Sequence, residues 1–438
     1  MTPETQGAIV LVVTILLLLT GAPVAFALGA VAVAGLVFFQ GVHSLGIAAE
    51  TLFSGLHDFT LVSIPMFIMM GAAIGSSPAG RDLYAALDRW LYRVPGGLVI
   101  SNIGACAIFA GLTGSSPATC AAIGKMGIPE MRSRGVPDEI ATGSICAGGT
   151  LGILIPPSIT LILYGIATET SIGRLFLAGV LPGLLLTTLF ILWTLFYLWR
   201  RGIRAYAPEF RFTWREKFEA IPKVAPFLAI VVGVLYVLYG GIATPSEAAG
   251  VGAALCVFLA VAIYRMWNPR EWWEILRSTT RESVMILMII ATSVLFSYML
   301  SSLYITQTLA QSIADSQFNP WVLMSMVNLF LLVAGCFIPP AGIILMSAPI
   351  LLPIITGAGF DPVWFGVIMT VNMEIGLITP PVGLNLFVVN GIAPDVPTRK
   401  ILWGAVPYVI CMVVGIVILS VFPEIVTWLP DKLMGPRL

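Results

Sequence analysis

Hydrophobic residues fill most of the chain in long runs, and the breaks between these runs define the predicted elements. The first run covers residues 7–39 and is interrupted by Gly21-Ala22-Pro23. A membrane-spanning helix needs about 20 predominantly apolar residues, so runs of this length predict helices that cross a membrane. No basic residue precedes the first run, which is therefore not typical of a cleavable signal peptide. The pattern predicts a retained pair of helices at 7–20 and 22–40.

The same pattern predicts the elements of the remaining chain. The first half has a short segment at 45–56, a span at 60–76 and an amphipathic arm at 80–93. An apolar stretch at 97–133 follows, and it is broken at Gly111, Gly114, Pro117 and Pro129. A helix at 138–167, broken at 155–158, and a span at 175–199 complete this half. The second half has spans at 223–240, 246–264 and 284–303, an arm at 305–318, an apolar stretch at 321–356, a broken helix at 363–391 and a last span at 404–428. The stretches 97–133 and 321–356 are interpreted as re-entrant hairpins.

An internal repeat relates the two halves. At an offset of 224, Gly152 matches Gly376 and the pair Pro156-Pro157 matches Pro380-Pro381. Two consecutive prolines recurring together with the glycine four residues before them indicate a duplicated unit rather than chance. The sequence predicts a first repeat at 1–200, a connector at 201–222 and a second repeat at 223–438.

Basic residues indicate that the repeats are inverted in the membrane. The stretch 200–223 holds seven Lys and Arg residues, and cytoplasmic loops collect such residues. Residues 40–57 contain no Lys or Arg, whereas the matching stretch 264–281 contains four Arg residues. Equivalent loops are therefore predicted to face opposite sides. This places the connector in the cytoplasm and both termini in the periplasm.

Composition supports this fold class and excludes several functions. The chain is 58% hydrophobic and only 10% charged, whereas about 25% of a soluble domain is charged. The predicted fold is an all-α polytopic membrane protein. The net charge is zero, which argues against nucleic acid as a partner. With only two histidines, no CxxC pair and no HExxH or GxSxG motif, neither an enzyme nor a bound cofactor is expected.

Four non-helical stretches within the apolar segments mark the candidate chemistry. They are the hairpin turns 113–119 and 335–342 and the helix breaks 148–158 and 374–385. Such backbone is tolerated at membrane depth only where protein or a water-filled cavity surrounds it. A Pro-Pro pair frees carbonyl oxygens that suit a hard cation, and half-helix N-termini direct N–H groups at an anion. Paired breaks of this kind indicate the binding site of a secondary transporter.

Two alternatives stay open at the level of single residues. Prolines can simply kink helices, and glycines can simply allow close packing. Glu374 is a carboxylate within a span, which costs roughly 2.5–3.5 kcal/mol on insertion scales. It is interpreted either as a cation or proton site or as an anchor for nearby backbone. Glu247, three residues after Thr244, is interpreted as part of a helix cap.

Four motifs carry a resemblance to a known family. They lie at 114–119, 152–158, 244–249 and 376–385, and the whole chain resembles the large membrane subunit of tripartite ATP-independent periplasmic (TRAP) transporters. The resemblance implies a sodium-driven importer of small organic acids in a bacterial inner membrane. It also implies an elevator mechanism, in which the hairpins and broken helices move as a transport domain against a scaffold. Sodium is then the coupling ion.

The resemblance further implies partners. These are a small four-helix membrane subunit, expected as a separate polypeptide, a periplasmic solute-binding protein, the organic acid and membrane lipid. A self-sufficient sodium or proton symporter of related architecture is the alternative, and it would need no binding protein.

Candidate binding residues follow from the four breaks together with this resemblance. Those assigned to sodium are Gly114, Ser115, Ser116, Gly149, Thr150, Gly152, Pro156, Gly335, Pro339, Gly342, Gly376, Thr379 and Pro380. Those assigned to substrate are Ser116, Thr119, Pro157, Ser158, Asn372, Glu374 and Asn385.

The inverted topology predicts which side of the membrane the connector faces. A cysteine placed at Pro208 in a cysteine-free background should react with a membrane-impermeant maleimide only after the cells are opened, because the basic connector is cytoplasmic. Labelling of that cysteine in intact cells would contradict the inverted arrangement.

Overall fold

The protein is described by a computed structural model that covers residues 1–91, 94, 96–202, 213–315 and 319–435. All regular secondary structure in these ranges is helical. The first ten helices are α1 (Pro3–Leu19), α2 (Val24–Gln40), α3 (Ser44–Leu56), α4 (Ser63–Ser76), α5 (Ala79–Leu91), α6 (Gly97–Thr113), α7 (Ser116–Ser133), α8 (Asp138–Thr150), α9 (Ile159–Thr168) and α10 (Ile172–Arg200). The others are α11 (Trp214–Tyr239), α12 (Pro245–Tyr264), α13 (Pro269–Ser302), α14 (Ile305–Asp315), α15 (Pro320–Gly335), α16 (Pro340–Gly357), α17 (Pro362–Leu377), α18 (Leu384–Ile392), α19 (Thr398–Val421) and α20 (Glu424–Met434).

The predicted fold class is confirmed. Helices α6 and α7 form the first hairpin, and α15 and α16 form the second. The two broken helices are α8 with α9 and α17 with α18. Six helical segments in the described ranges are long and apolar enough to cross a membrane, and further apolar helices are shorter. The chain is thus a multi-pass membrane protein.

Several element boundaries differ from the sequence prediction. The expected breaks at Gly111, Pro117 and Pro129 are wrong: α6 runs through Gly111, Pro117 lies in the first turn of α7, and Pro129 lies inside α7. Proline is tolerated in the first turn because the N–H groups there have no intrahelical partner. The last predicted span is two helices, α19 and α20, and the predicted span at 284–303 is only the second part of α13.

The connector lies mostly outside the described residues. Residues 203–212 are not described, and α11 already begins at Trp214 within the segment predicted as connector. A capping box sets this start, because the Thr213 hydroxyl accepts from the N–H of Glu216 while the Glu216 side chain accepts from the N–H of Thr213. Residues 92, 93 and 316–318 of the two predicted arms also lie outside the described residues.

The order of helices repeats along the chain. From the hairpins onward, each helix from α15 to α19 starts 223 to 226 residues after its counterpart from α6 to α10. One element differs between the halves, since the single long helix α13 stands where α3 and α4 stand in the first half. The side of the membrane that each loop faces stays a prediction.

The two halves are packed into one another rather than side by side. Outside the hairpins and broken helices, α4 packs against α12 and α2 packs against α13. Within them, α7 packs against α18 and α9 against α16, and the broken-helix segment α8 packs against the long helix α19. Each half therefore contributes to both groups of helices.

The contact between α8 and α19 depends on two glycines. A Cβ atom added to Gly143 would lie 2.2 Å from the carbonyl oxygen of Gly404, and one added to Gly404 would lie 2.0 Å from that of Glu139. Glycine lets the two backbones touch, as is common where membrane helices cross closely. This contact joins the broken helix of the first half to the last long helix of the second.

An ion pair joins the arm α5 to the first hairpin. The two terminal guanidinium nitrogens of Arg134 donate to the two carboxylate oxygens of Asp88, at 3.3 and 3.1 Å, and Arg134 also pairs with Glu130. Burial raises the pKa of Asp88 above its ordinary value, which the charge of Arg134 opposes. The arm is thereby tied to the end of α7.

Candidate functional site

The turn of the first hairpin lies directly against the first helix break. A Cβ atom on Gly152 would lie 2.7 Å from the carbonyl of Ser115, and one on Gly114 would lie 2.9 Å from the carbonyl oxygen of Pro157. Gly114 has a positive φ of 60°, which favours glycine. The hairpin turn and the break therefore meet backbone to backbone. The candidate sodium residues Gly114, Ser115 and Gly152 thus lie close together.

Hydroxyl groups connect these two stretches. The buried Ser116 hydroxyl donates to the carbonyl oxygen of Thr150 at 3.0 Å. The Thr119 hydroxyl donates to the carbonyl of Ser115 at 2.9 Å and lies 2.8 Å from the hydroxyl of Thr113. These groups satisfy part of the backbone that the turn and the break leave without helical partners.

Ser158 forms hydrogen bonds to residues on both sides of the break. Its hydroxyl donates to the carbonyl of Ile153 and accepts from the N–H of Leu161, which caps α9. The peptide bond between Pro156 and Pro157 is cis. The side chains of 156–158 are buried, so this first site is covered by protein.

The second hairpin and the second break meet in the same way. A Cβ atom on Gly376 would lie 2.4 Å from the backbone of Gly335. The N–H of Val382 donates to the carbonyl of Cys336 at 3.1 Å. Thr379 donates its hydroxyl to the carbonyl of Ile375, one turn back in α17, at 2.6 Å. The peptide bond between Pro380 and Pro381 is cis, as in the first break.

Three candidate sodium residues have other surroundings. A Cβ atom on Gly342 would meet Ile338 and the scaffold residue Val24 rather than the second break. Pro339 is exposed at the start of α16. Gly149 lies against Cys120 of α7, and the Cys120 thiol donates to the carbonyl of Ile145. Gly149 therefore contributes to helix packing between α7 and α8.

The two sites differ in exposure. Pro156 and Pro157 are buried, whereas Pro380 and Pro381 are exposed and Val382 is 43% exposed. In the first half, Gly111 of the hairpin faces the carbonyl of Pro156 and a side-chain methyl of Val231 in α11. Helix α11 therefore lies against the hairpin near its turn. One repeat presents an open face and the other a covered face.

Two asparagines join elements around the breaks. The Asn385 amide donates to the carbonyl of Cys146 at 3.2 Å, which links α18 of the second half to α8 of the first. The Asn372 amide donates to the side-chain oxygen of Asn328 at 2.8 Å, which links α17 to α15. The side-chain oxygens of Asn372 and Asn385 are buried and lack partners in the described part of the chain.

Glu374 is fully buried in α17, two residues before Gly376. Neither of its carboxylate oxygens has a hydrogen-bond partner among the described residues. The interpretation of Glu374 as a backbone anchor therefore finds no hydrogen bond in the structure. Leaving the charge of such a carboxylate unpaired would be very costly, so a proton and a cation are both candidates to neutralise Glu374.

Half-helix N-termini offer N–H groups near these oxygens. Within the described ranges, α7, α16 and α18 begin without a side-chain cap, and only α9 among the four half-helices that follow a turn or break has one. Helix α18 packs against α7 and α8, and α17 contacts the turn at 151–153. The arrangement can hold an anion at uncapped N–H groups beside an oxygen-rich cation site.

Sequence analysis missed two residues of this region. Asn328 supports Asn372, and with Ser325 it is one of two polar residues in the apolar run of α15, a signal that could have found it. The Cys146 carbonyl holds Asn385, and only the tertiary structure brings these two residues together, because they are 239 positions apart.

Paired hairpins against paired helix breaks define the class of the molecule as a multi-pass membrane transporter. The sequence profile of the family described as "Tripartite ATP-independent periplasmic transporter, DctM component" matches residues 11–425. The chain belongs to this family, as the sequence resemblance predicted.

Glu247 has the capping role predicted for it, because it forms a capping box with Thr244.

Individual relatives agree with this assignment. The chain is 39% identical to the C4-dicarboxylate TRAP transporter large permease protein DctM of Pseudomonas aeruginosa, over 90% of this chain and 91% of the relative. It is 36% identical to the protein of that name from Vibrio cholerae, over 98% and 99% of the two chains. The fold is similar to that of the YdaH transporter of Alcanivorax borkumensis, with a TM-score of 0.62, 16% identity and coverage of 92% and 91%.

The close contact at Gly376 predicts a strong effect of one methyl group. Gly376→Ala should push the second hairpin turn away from its break, because the added Cβ would overlap the backbone of Gly335. We expect at least tenfold slower uptake with the chain still inserted, at a stability cost of about 1–3 kcal/mol. Uptake by proteoliposomes and thermal unfolding of the purified protein measure the two effects.

Gly391→Ala is the matched control. Gly391 lies in α18, and a Cβ atom there would have no neighbour within 4 Å. Its uptake should stay within twofold of wild type. Wild-type uptake by Gly376→Ala would show that the hairpin turn and break do not need this contact.

Proposed function

We propose that this chain is the permease subunit of a sodium-coupled importer of small organic acids that depends on a solute-binding protein. The observation that carries the proposal is the pairing of two hairpin turns with two helix breaks, surrounded by uncapped N–H groups and unpartnered oxygens, in a chain of the TRAP family.

The substrate class follows from the relatives and from the chemistry of the site. Two relatives with at least 90% coverage of both chains are named for C4-dicarboxylates. Uncapped N-termini at α7 and α18 suit a carboxylate, because their free N–H groups and positive dipole ends favour an anion. The Asn385 side chain, which lies between the halves, adds a polar group to the same region.

Sodium as coupling ion is supported by the oxygen atoms at the breaks. The carbonyl oxygen of Thr150 lies next to the Ser116 hydroxyl, and that of Ile375 lies next to the Thr379 hydroxyl. Neutral oxygens of this kind can surround a monovalent hard cation without a dedicated carboxylate. Glu374 gives a further negative group on the same broken helix.

An elevator mechanism agrees with the division of the helices. Hairpin and broken helices of the two halves pack on one another, as α7 does on α18 and α9 does on α16, while α2 with α13 and α4 with α12 form the cross-packed scaffold. The covered first site and the exposed second site describe one conformation. In the proposed cycle, movement of the transport domain would change which face is open.

Partners and location follow from the family. A tripartite transporter supplies a small membrane subunit and a periplasmic binding protein in addition to this large subunit. The proposed location is the bacterial inner membrane, with both termini periplasmic.

The sodium proposal predicts the behaviour of two hydroxyl variants. Ser116→Ala and Thr379→Ala should each raise the sodium concentration for half-maximal uptake by about tenfold, equivalent to about 1.4 kcal/mol, because each removes an oxygen beside the proposed ion. Sodium titration of uptake in proteoliposomes measures this. Ser101→Ala is the control, since Ser101 is equally buried but bonds within α6 at Gly97, away from the turn.

Glu374→Gln separates two roles of that carboxylate. If Glu374 is a cation or proton site, its change to Gln should weaken or abolish cation-dependent uptake. If Glu374 is an anchor, the change should instead lower expression and thermal stability. Unchanged sodium dependence in all three variants, with uptake driven by a proton gradient alone, would overturn the sodium assignment.

Reconstitution tests the dependence on partners. This subunit alone should take up organic acid poorly, and adding the small subunit together with the loaded binding protein should restore uptake by at least tenfold. Full-rate uptake of free substrate by the subunit alone would favour the self-sufficient symporter.

A further inference from the structure

An apolar groove lies between the scaffold and the second hairpin. It has a volume of about 460 Å³ and runs between α1, the end of α13, the arm α14 and the hairpin helices α15 and α16. Leu11, Phe296, Leu309, Met346 and Ile350 are among the residues that line it. We refer to it below as the arm groove.

The corresponding arm of the first half is more deeply buried in the described part of the chain. Six residues of α5 are buried, including Leu83, Tyr84 and Asp88. No residue of α14 whose side chain is described is buried, although α14 carries the apolar residues Ile305 and Leu309. Within the described residues, the arm of the second half is therefore packed less deeply than α5, with Ile305 lying against Gly7 of α1.

The long helices beside the two arms differ in the same way. Helix α11 buries Phe227, Val234 and Leu238, and its junction with α5 is filled by the rings of Trp90 and Trp214. Helix α1 buries only two residues, Val10 and Thr14. The protein thus fills the junction in one repeat with its own side chains and leaves a groove in the other.

The size and lining of the arm groove restrict what can fill it. An α-helix with its side chains is about 10–12 Å across and rises about 1.5 Å per residue, so 460 Å³ corresponds to only about three residues of a second helix. At roughly 30 Å³ for a group the size of water or CH₂, the volume holds about fifteen such groups in a row. Water is unsuited, because an apolar cavity gives it too few polar partners. One hydrocarbon chain matches both the size and the lining.

A carboxylate stands where the groove reaches the N-terminal end of α1. Glu4 lines the groove, is exposed, and forms no ion pair within the described ranges. A negative charge at this end favours a lipid headgroup with an ammonium over an anionic headgroup. From the groove and this charge we infer that the arm groove binds one acyl chain of an aminophospholipid such as phosphatidylethanolamine, between the scaffold and the second hairpin.

Photo-crosslinking in nanodiscs tests this inference on the full-length chain. The probe is a phosphatidylethanolamine with a diazirine in one acyl chain, and mass spectrometry locates the labelled peptides. Labels should concentrate on α1, α14 and α16. Ser312→Phe, which places a ring into the groove from α14, should reduce these labels at least fivefold, and Thr308→Phe serves as a second filling variant if the first does not fold.

Gln311→Phe is the matched control, because Gln311 is exposed on the same helix but does not line the groove. It should leave the labels within twofold of wild type. A phosphatidylglycerol probe with the same acyl chains should label the groove at least threefold less, and Glu4→Gln should remove this preference. Equal labelling of all lipid-facing helices, or unchanged labels in both filling variants, would overturn the inference. Neither result depends on the substrate or the coupling ion.

Discussion

Every backbone N–H and C=O group at membrane depth must find a partner inside the protein, because hydrocarbon offers none. This requirement explains why the two helix breaks are never separate from the two hairpin turns. The Ser116 hydroxyl bonds the carbonyl of Thr150, and the N–H of Val382 bonds the carbonyl of Cys336. In the first pair the turn supplies a donor to the broken helix, and in the second pair the break supplies a donor to the turn. The four candidate non-helical stretches thus lie together as two pairs.

Glycine makes the pairs possible. At Gly152 and Gly376 the facing backbone lies where a side chain would stand, so polar backbone atoms of turn and break come within reach of each other. Between α8 and α19, Gly143 and Gly404 allow the same close approach. Small residues let these helices pack on one another without large side chains between them.

The two repeats share their order of helices but not their surroundings. The first break is buried under protein, whereas the second is exposed at Pro380 and Pro381. The arm α5 is tied down by the ion pair of Asp88 with Arg134, whereas α14 borders an apolar groove. A duplicated sequence thus gives two pairs of turn and break with different surroundings.

The sequence by itself determined the fold class, the hairpins, the broken helices and the family, because apolar run length and paired Gly and Pro residues act locally on the backbone. It predicted too many breaks, since Pro129 is accommodated inside α7. It also left open the role of Glu374. Only the tertiary structure decided that Gly342 faces Val24, that Asn385 bonds the Cys146 carbonyl, and that Glu374 is buried with no hydrogen-bond donor among the described residues. These contacts join residues far apart in the chain, and their geometry depends on how the two halves pack, which no local pattern specifies.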